Sequence, residues 1–383
     1  MNRLFCFALL VVFVSCKDKY VPKVQSTGAG YLVVEGFINS GGTPSTFSLT
    51  RTTKLYDTAD IVYEQGAAVT VQGENQENYP LTETSPGTYV SGSLALNPAE
   101  KYRLHITTQD GKEYVSDFEP VRQTVPIDSV SWQRTGDGIT LYVSTHDPQT
   151  NPGYYRWDYD ETWEFHSAFE SSLYYVKDPS TNEVLRAAFR NPDGLVDTTI
   201  YKCWRNEHST NITLGSTEKL SSDVIYLPFH QVANGDQRLS VLYSINVKQF
   251  SLSKEAYNFY NTLKINTEQL GSIFDPSPTS LPSNLHCVSD PSETVVGYVS
   301  VTEEQDKRIF IRHADVPGWD YYQDCQEFLI DNNRDSILVH GAGTLPTEPA
   351  QSMGQNIASF FAAQATCVDC TLTGSNVRPA YWP

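Results

Sequence analysis

Asp158, Asp160 and Glu164 recur at even positions within Tyr154–His166. In an extended chain that spacing puts all three carboxylates on one face, where they could hold Ca²⁺ or serve as acid and base. The plainer reading is a polar outer face, because Tyr155, Trp157, Tyr159, Trp163 and Phe165 fill the opposite side as a core would. Cys367 and Cys370 have the spacing of a redox pair or half a metal site. A redox pair wants a βα context and a metal site wants two further ligands, and the sequence displays neither. A structural disulfide is favoured instead, within the pair or from it to Cys203 or Cys325, and the pairing stays open.

The 8 histidines are scattered, and no Gly-x-Ser-x-Gly, His-Glu-x-x-His or phosphate-loop pattern occurs. No cofactor is expected, although a Ser–His–Asp group assembled in space stays open. The 6 tryptophans could line a sugar platform. Alternation sends Trp157 and Trp163 inward, and Trp382 is either a packed anchor or an exposed contact.

One further thiol carries chemistry of a different kind. Leu4 to Val14 is an unbroken apolar run after Arg3, and Ser15-Cys16 closes it before Lys17-Asp18-Lys19. The run is too short to span a bilayer and sits where a secretory signal sits. A small residue directly before cysteine suits lipoprotein processing, which would acylate Cys16 and start the mature chain there. An ordinary secretory peptide or an uncleaved anchor is the alternative. Acylation would make the attachment effectively permanent, at about 0.8 kcal/mol per buried methylene.

The formal charge is −18, and −19 once Arg3 leaves with the signal. Such a body is repelled by nucleic acid and anionic headgroups, so neither is expected as a partner. Abundant Tyr (23) and Phe (17) with only 2 Met make a strand-forming composition. The expected divisions are a signal peptide over 1–15, a lipidated flexible tether over 16–30, a β-sandwich over 31–122, and a larger β-rich domain over 123–383.

Within the first domain, Tyr31–Ile38, Thr46–Thr50, Ala67–Val71, Thr88–Val90, Lys101–Thr107 and Glu113–Phe118 read as strands separated by Gly, Pro and Asp turns. Tyr31–Ile38 is apolar at nearly every position, as a strand buried on both faces would be. Thr124-Val125-Pro126 is the joint. Ile127–Trp132, Gly138–Thr145, Tyr154–His166, Ile200–Trp204, Val224–Phe229, Arg238–Phe250, Thr294–Val301 and Arg308–Arg312 continue the sheet. Ser253 caps an amphipathic helix through Ala256, Phe259, Tyr260, Leu263 and Leu270 that Gly271 would end. Met353, Ile357, Phe360 and Phe361 have helical spacing, interrupted by Gly354. The fold class is mainly β, with one or two helices.

Ala67–Val71, Pro86-Gly87-Thr88-Tyr89 and Lys101-Tyr102-Arg103-Leu104 resemble the immunoglobulin- or prealbumin-like modules of extracytoplasmic proteins. Tyr31–Asn39, Gly271-Ser272-Ile273-Phe274-Asp275, Asn284, Gly297-Tyr298, and the ending Cys367-Val368-Asp369-Cys370, Gly374, Pro379, Tyr381-Trp382 form a more specific combination. Together they resemble the Bacteroidota outer-membrane lipoprotein family known as domain of unknown function 4249, with Gly374-Ser375 standing where that family more often has two glycines. The resemblance implies an outer-membrane lipoprotein encoded beside a TonB-dependent transporter. Lys17-Asp18-Lys19 is similar to the charged tags that send such lipoproteins to the cell surface. Asp57-Thr58-Ala59, Asp128-Ser129-Val130, Asp197-Thr198-Thr199 and Asp335-Ser336-Ile337 resemble short O-glycosylation sequons of that phylum. The expectation is a surface-exposed, lipid-anchored binding or accessory component of nutrient uptake. Its partners would be the membrane and a TonB-dependent barrel, and its ligand an unidentified small molecule, peptide or glycan. An extracellular hydrolase and an adhesin are the alternatives.

Overall fold

A computed structural model describes residues 30–53, 61–148, 153–220, 223–268 and 281–383. The expected signal segment, Cys16, the expected tether before residue 30, Asp57-Thr58-Ala59, Leu270 and the Gly271–Asp275 stretch lie outside the described residues.

The protein is mainly β, as the strand-rich composition demands. In the first sandwich, one sheet runs in the order Val296–Gly297, Leu32–Gly36, Pro44–Arg51, Thr88–Ser93, Thr82–Ser85. The other runs Leu285–Cys287, Glu113–Ser116, Lys101–Thr107, Ala68–Gly73, Asn78–Pro80. Inward residues of both, among them Leu32, Phe47, Val71, Tyr89, Leu104 and Tyr114, form one core. The turn at Gly87 needs glycine. Its φ is +68°, and a Cβ there would sit 2.6 Å from the Leu49 carbonyl oxygen.

Three short pieces of the first sandwich come from far along the chain. Leu285–Cys287, Val296–Gly297 and Val301–Thr302 pair with Glu113–Ser116, Leu32–Gly36 and Ile38–Asn39. The expected division puts everything after residue 122 in the second domain, whereas the chain returns to finish the first one. No sequence signal marks a returning strand of two or three residues.

The second unit faces a three-stranded sheet, Ser129–Thr135, Gly138–His146 and Val224–Ala233, against a five-stranded one. The latter contains Lys202–His208, Tyr154–His166, Leu242–Ser251 and Glu304–Arg312, with Thr213–Ser216 also paired to Tyr154–His166. Trp157, Tyr159, Trp163 and Phe165 share their core with Ile139, Leu141 and Val143. Tyr154–His166 spans the strand predicted for it, and its aromatic side is buried as alternation requires.

A smaller cluster gathers the hairpin Leu173–Lys177/Val184–Phe189, the helix Arg334–His340 and a three-stranded sheet around Phe360. Here the helical reading of Met353, Ile357, Phe360 and Phe361 is overturned. They lie on the hairpin strands Thr344–Met353 and Asn356–Gln364, turned at Gly354 with φ +59°. A left-handed glycine between two extended runs reverses the chain, and the spacing of the apolar residues is coincidental. The predicted amphipathic helix is present over Lys254–Glu268. Ala256 N donates to Ser253 Oγ at 3.0 Å, and Phe259 packs on Leu252 and Tyr298.

Candidate functional site

The central strand Tyr154–His166 presents its two faces to two clefts. It pairs with Leu242–Ser251, which pairs with Glu304–Arg312, so even-numbered residues form rows across three strands. Arg156, Phe250 and Glu304 make one row, and Asp158, Lys248 and Asp306 the next.

Half of this polar face is covered. Trp382 Nε1 donates to Glu164 Oε2 at 3.0 Å, while Lys202 Nζ and His166 Nε2 approach Oε1 at 2.9 and 3.1 Å. Thr162 Oγ1 lies 2.7 Å from Tyr381 Oη, whose ring stacks under Arg308. Glu164 is therefore sealed beneath the C-terminal residues and does not join the two aspartates, and Trp382 is the packed anchor. The tryptophans as a set do not form a platform, because only Trp132 among them is more than marginally exposed.

The other half stays open as the floor of a cleft of about 520 Å³. Its far wall is the first sandwich, through Val33, Phe37 and Tyr298, and the helix contributes Tyr260 and Leu263. Val33 and Phe37 are the second face of the strand that read as buried on both sides; that face is half-buried and lines this junction. Arg156 lies between the rings of Phe250 and Tyr260, at 4.9 and 4.6 Å from their centroids, and its Nη2 bonds Asp158 Oδ2 at 2.8 Å. Its Nε is buried and lacks a partner among the described residues. Asp160 is gripped by Lys248 Nζ at 2.9 Å and by His208 Nδ1. Burial alone would push the Asp160 carboxyl up, but hydrogen bonds from Lys248 and His208 outweigh it and hold it below the ordinary carboxylate range. Burial pushes the Glu304 carboxyl up, with Asp306, Asp160 and Asp158 adding to the shift against the pull of Lys248.

The odd-numbered face holds a residue that the sequence reading passed over. Glu161 interrupts the aromatic series and is 3% exposed. Its Oε2 accepts from Tyr243 Oη at 2.7 Å, His230 Nε2 at 3.0 Å and Arg238 Nε at 3.1 Å. Because a carboxylate can only accept, His230 Nε2 carries a proton, and His230 Nδ1 lies in hydrogen-bond contact with Tyr159 Oη at 2.8 Å. Burial would push the Glu161 carboxyl up, and the bond from His230, followed by Tyr243 and Arg238, brings it below its ordinary value. Burial pushes the Tyr159 hydroxyl up to about 12, so it stays a donor.

A β-bulge delivers His230. Between Gly138–His146 and Val224–Ala233 the register passes from Leu141↔His230 to Tyr142↔Pro228, leaving Phe229 unpaired. The extra residue turns both Phe229 and His230 toward the interior. These residues, with Glu207, His208, Asn211 and Arg238, enclose a second cleft of about 680 Å³.

Neither member of the Cys367/Cys370 pair bonds the other. The disulfides are Cys203–Cys370 and Cys325–Cys367, and Cys287 is a buried free thiol in the first sandwich. Two α-helical and 3-10 turns carry Cys367 and Cys370 to different partners, which removes the redox and metal readings of the motif. Among the described residues, no group of three or more His, Cys, Asp or Glu side chains is placed to hold a metal ion.

Asp160, Glu161 and Glu164 all titrate below their ordinary range. A folded-state pKa below the unfolded one means that each stabilises the fold above its unfolded value, near pH 4, and loses that contribution as pH falls through the folded value. Glu304, shifted the other way, offsets part of it. Urea titrations are expected to give stability that changes little from pH 7 to 5 and falls steeply below about pH 4. A rise in stability between pH 5 and 3 would contradict this arrangement.

The model of one protein family, domain of unknown function (DUF4249), matches residues 17–308. The chain belongs to the DUF4249 family. The match takes in the first sandwich, the central strand, both clefts' principal residues and the returning strands, and it stops short of Cys325, Cys367, Cys370 and Trp382. No curated protein matches the sequence. Among solved structures, the DUF4249 chain has a likeness to the crystal structure of a DUF4785 family protein from Legionella pneumophila subsp. pneumophila. The identity is 10%, 57% of this chain and 51% of that one are covered, and the TM-score is 0.19, so the likeness carries no argument. The chain spans about half the length of that protein.

Proposed function

We propose that this DUF4249 chain is a lipid-anchored outer-membrane protein, tethered through Cys16 and facing the cell exterior. It acts as a binding or accessory component of a TonB-dependent nutrient uptake system. The observation that carries the reading is the junction cleft, a concavity of about 520 Å³ where the two sandwiches and a helix meet. Ligand sites favour such seams, and this one mixes aromatic surface with a few fixed polar groups. Asp160 is held as a carboxylate by Lys248 and His208, and Asp158 is tied to Arg156, which suits recognition better than proton transfer. The signal segment ending in Ser15-Cys16 supports the anchor, and two disulfides suit an oxidising compartment.

The hydrolytic reading draws on Glu304, whose carboxyl is raised while that of Asp160 is lowered. Glu304 lies two strands away from the aspartates, roughly 10 Å between backbones, with no shared hydrogen bond among the described residues. Binding is the better-supported role.

The test is an affinity pull-down from mildly cross-linked outer membranes, comparing wild type with Cys16→Ala. A TonB-dependent barrel should be recovered with the wild-type protein and lost with the variant. Recovery of no barrel, from protein verified as intact and at the surface, would sink the accessory role.

A further inference from the structure

We propose that the Glu161 cleft is a binding site for a primary ammonium group. The Glu161 side chain is almost wholly buried at the cleft floor, yet only one of its oxygens is committed. Oε2 takes all three internal donors, and Oε1 has no partner among the described residues. An oxygen on an almost wholly buried side chain, without a protein donor and reached only through the cleft, is a strong acceptor for a ligand's donor.

The surrounding charge selects the kind of donor. Arg238 is divided among Glu161, Glu207 and Asp236, and Arg205 reaches Glu207 at 3.3 Å from outside the cleft. Two guanidiniums against three carboxylates leave an excess of one negative charge among these groups. An anion is repelled here. A neutral hydroxyl would satisfy Oε1 but leave the charge excess, whereas an ammonium satisfies both. Tyr159 and Phe229 meet edge to face at 5.5 Å beside the carboxylate, giving apolar surface for an alkyl stem and π-faces for the cation. The bulge at Phe229 turns both that ring and His230 inward, so the distortion builds this floor.

The ammonium could belong to a free amine or to a lysine side chain of a peptide. The site opens on the other face of the central strand from the junction cleft, sharing Tyr159, His208, Thr210 and Asn211 along one rim, and does not depend on a transporter, so either proposal can fail alone. Isothermal titration of the intact protein with 1,5-diaminopentane, Nα-acetyl-lysine amide and 1,5-pentanediol tests it. Both amines should bind saturably, at least about tenfold tighter than the diol, and more weakly as salt is added. Tighter binding of the blocked lysine would assign a peptide ligand, and tighter binding of the diamine a free amine. Glu161→Gln should weaken amine binding at least about tenfold. Because that variant also disturbs Arg238, Gln231→Trp at the exposed mouth serves as a second block, expected to exclude amines while melting like wild type. Equal binding of the diol, wild-type affinity in both variants, or no saturable amine binding would each overturn the proposal.

Discussion

Replacing Glu161 by Ala is expected to lower the unfolding free energy by about 3–5 kcal/mol, because it strands buried partners and does not simply delete a contact. Tyr243 lies fully buried with its hydroxyl on Glu161, and its titration is already pushed well above the ordinary range by burial. Without the carboxylate, that hydroxyl, the His230 ring and Arg238 Nε lose their common acceptor. Arg238 keeps Asp236 and Glu207 and its place over Trp163, so the loss falls mainly on Tyr243 and His230. Urea denaturation followed by tryptophan fluorescence reads the effect, since Trp163 adjoins the cluster. Glu161→Gln retains an acceptor and should cost markedly less. An Ala variant within about 1 kcal/mol of wild type would mean that water satisfies Tyr243 and His230 in place of the carboxylate.

Alternation assigned Asp158, Asp160 and Glu164 to one side of Tyr154–His166, and the geometry keeps that assignment. Glu161, a single acid among five aromatics, carries no periodic pattern of its own. The signal was present: an acid on a core-facing position must bring a partner or unfold the strand. Its partners lie about seventy to eighty residues further on, brought near by strand pairing and a bulge that Pro228 alone hints at. Glu164 fails in the opposite sense. Local alternation makes it solvent-facing, and only the C-terminal Tyr381-Trp382, more than two hundred residues away, closes over it. Strand identity was local information and legible. Burial of the strand's polar face depended on distant segments and was not.

Removing the Cys203–Cys370 disulfide by alanine substitution at both positions is expected to cost about 5 kcal/mol on the loop-entropy account, in which the penalty grows with the logarithm of loop length. The bridge spans 167 residues, and Cys325–Cys367, spanning 42, lies inside that loop. The shorter bridge alone should be worth about 4 kcal/mol, and the two losses should fall short of additive because they restrict the same unfolded segment. The longer bridge also has a local task. Trp204, next to Cys203, exchanges backbone hydrogen bonds with Ser375 at 2.7 and 2.9 Å, and the chain then runs on to Tyr381 and Trp382. Cys203–Cys370 thus fixes the start of the segment that seals Glu164. The double variant should therefore expose the C-terminus to carboxypeptidase digestion and release Trp382 Nε1 from Glu164 Oε2. Cys325→Ala/Cys367→Ala, whose bridge sits outside that contact, should lose stability but keep the C-terminus protected. Equal protease resistance in wild type and both variants would show that Trp382 packing alone holds the segment, leaving the disulfide a purely entropic role.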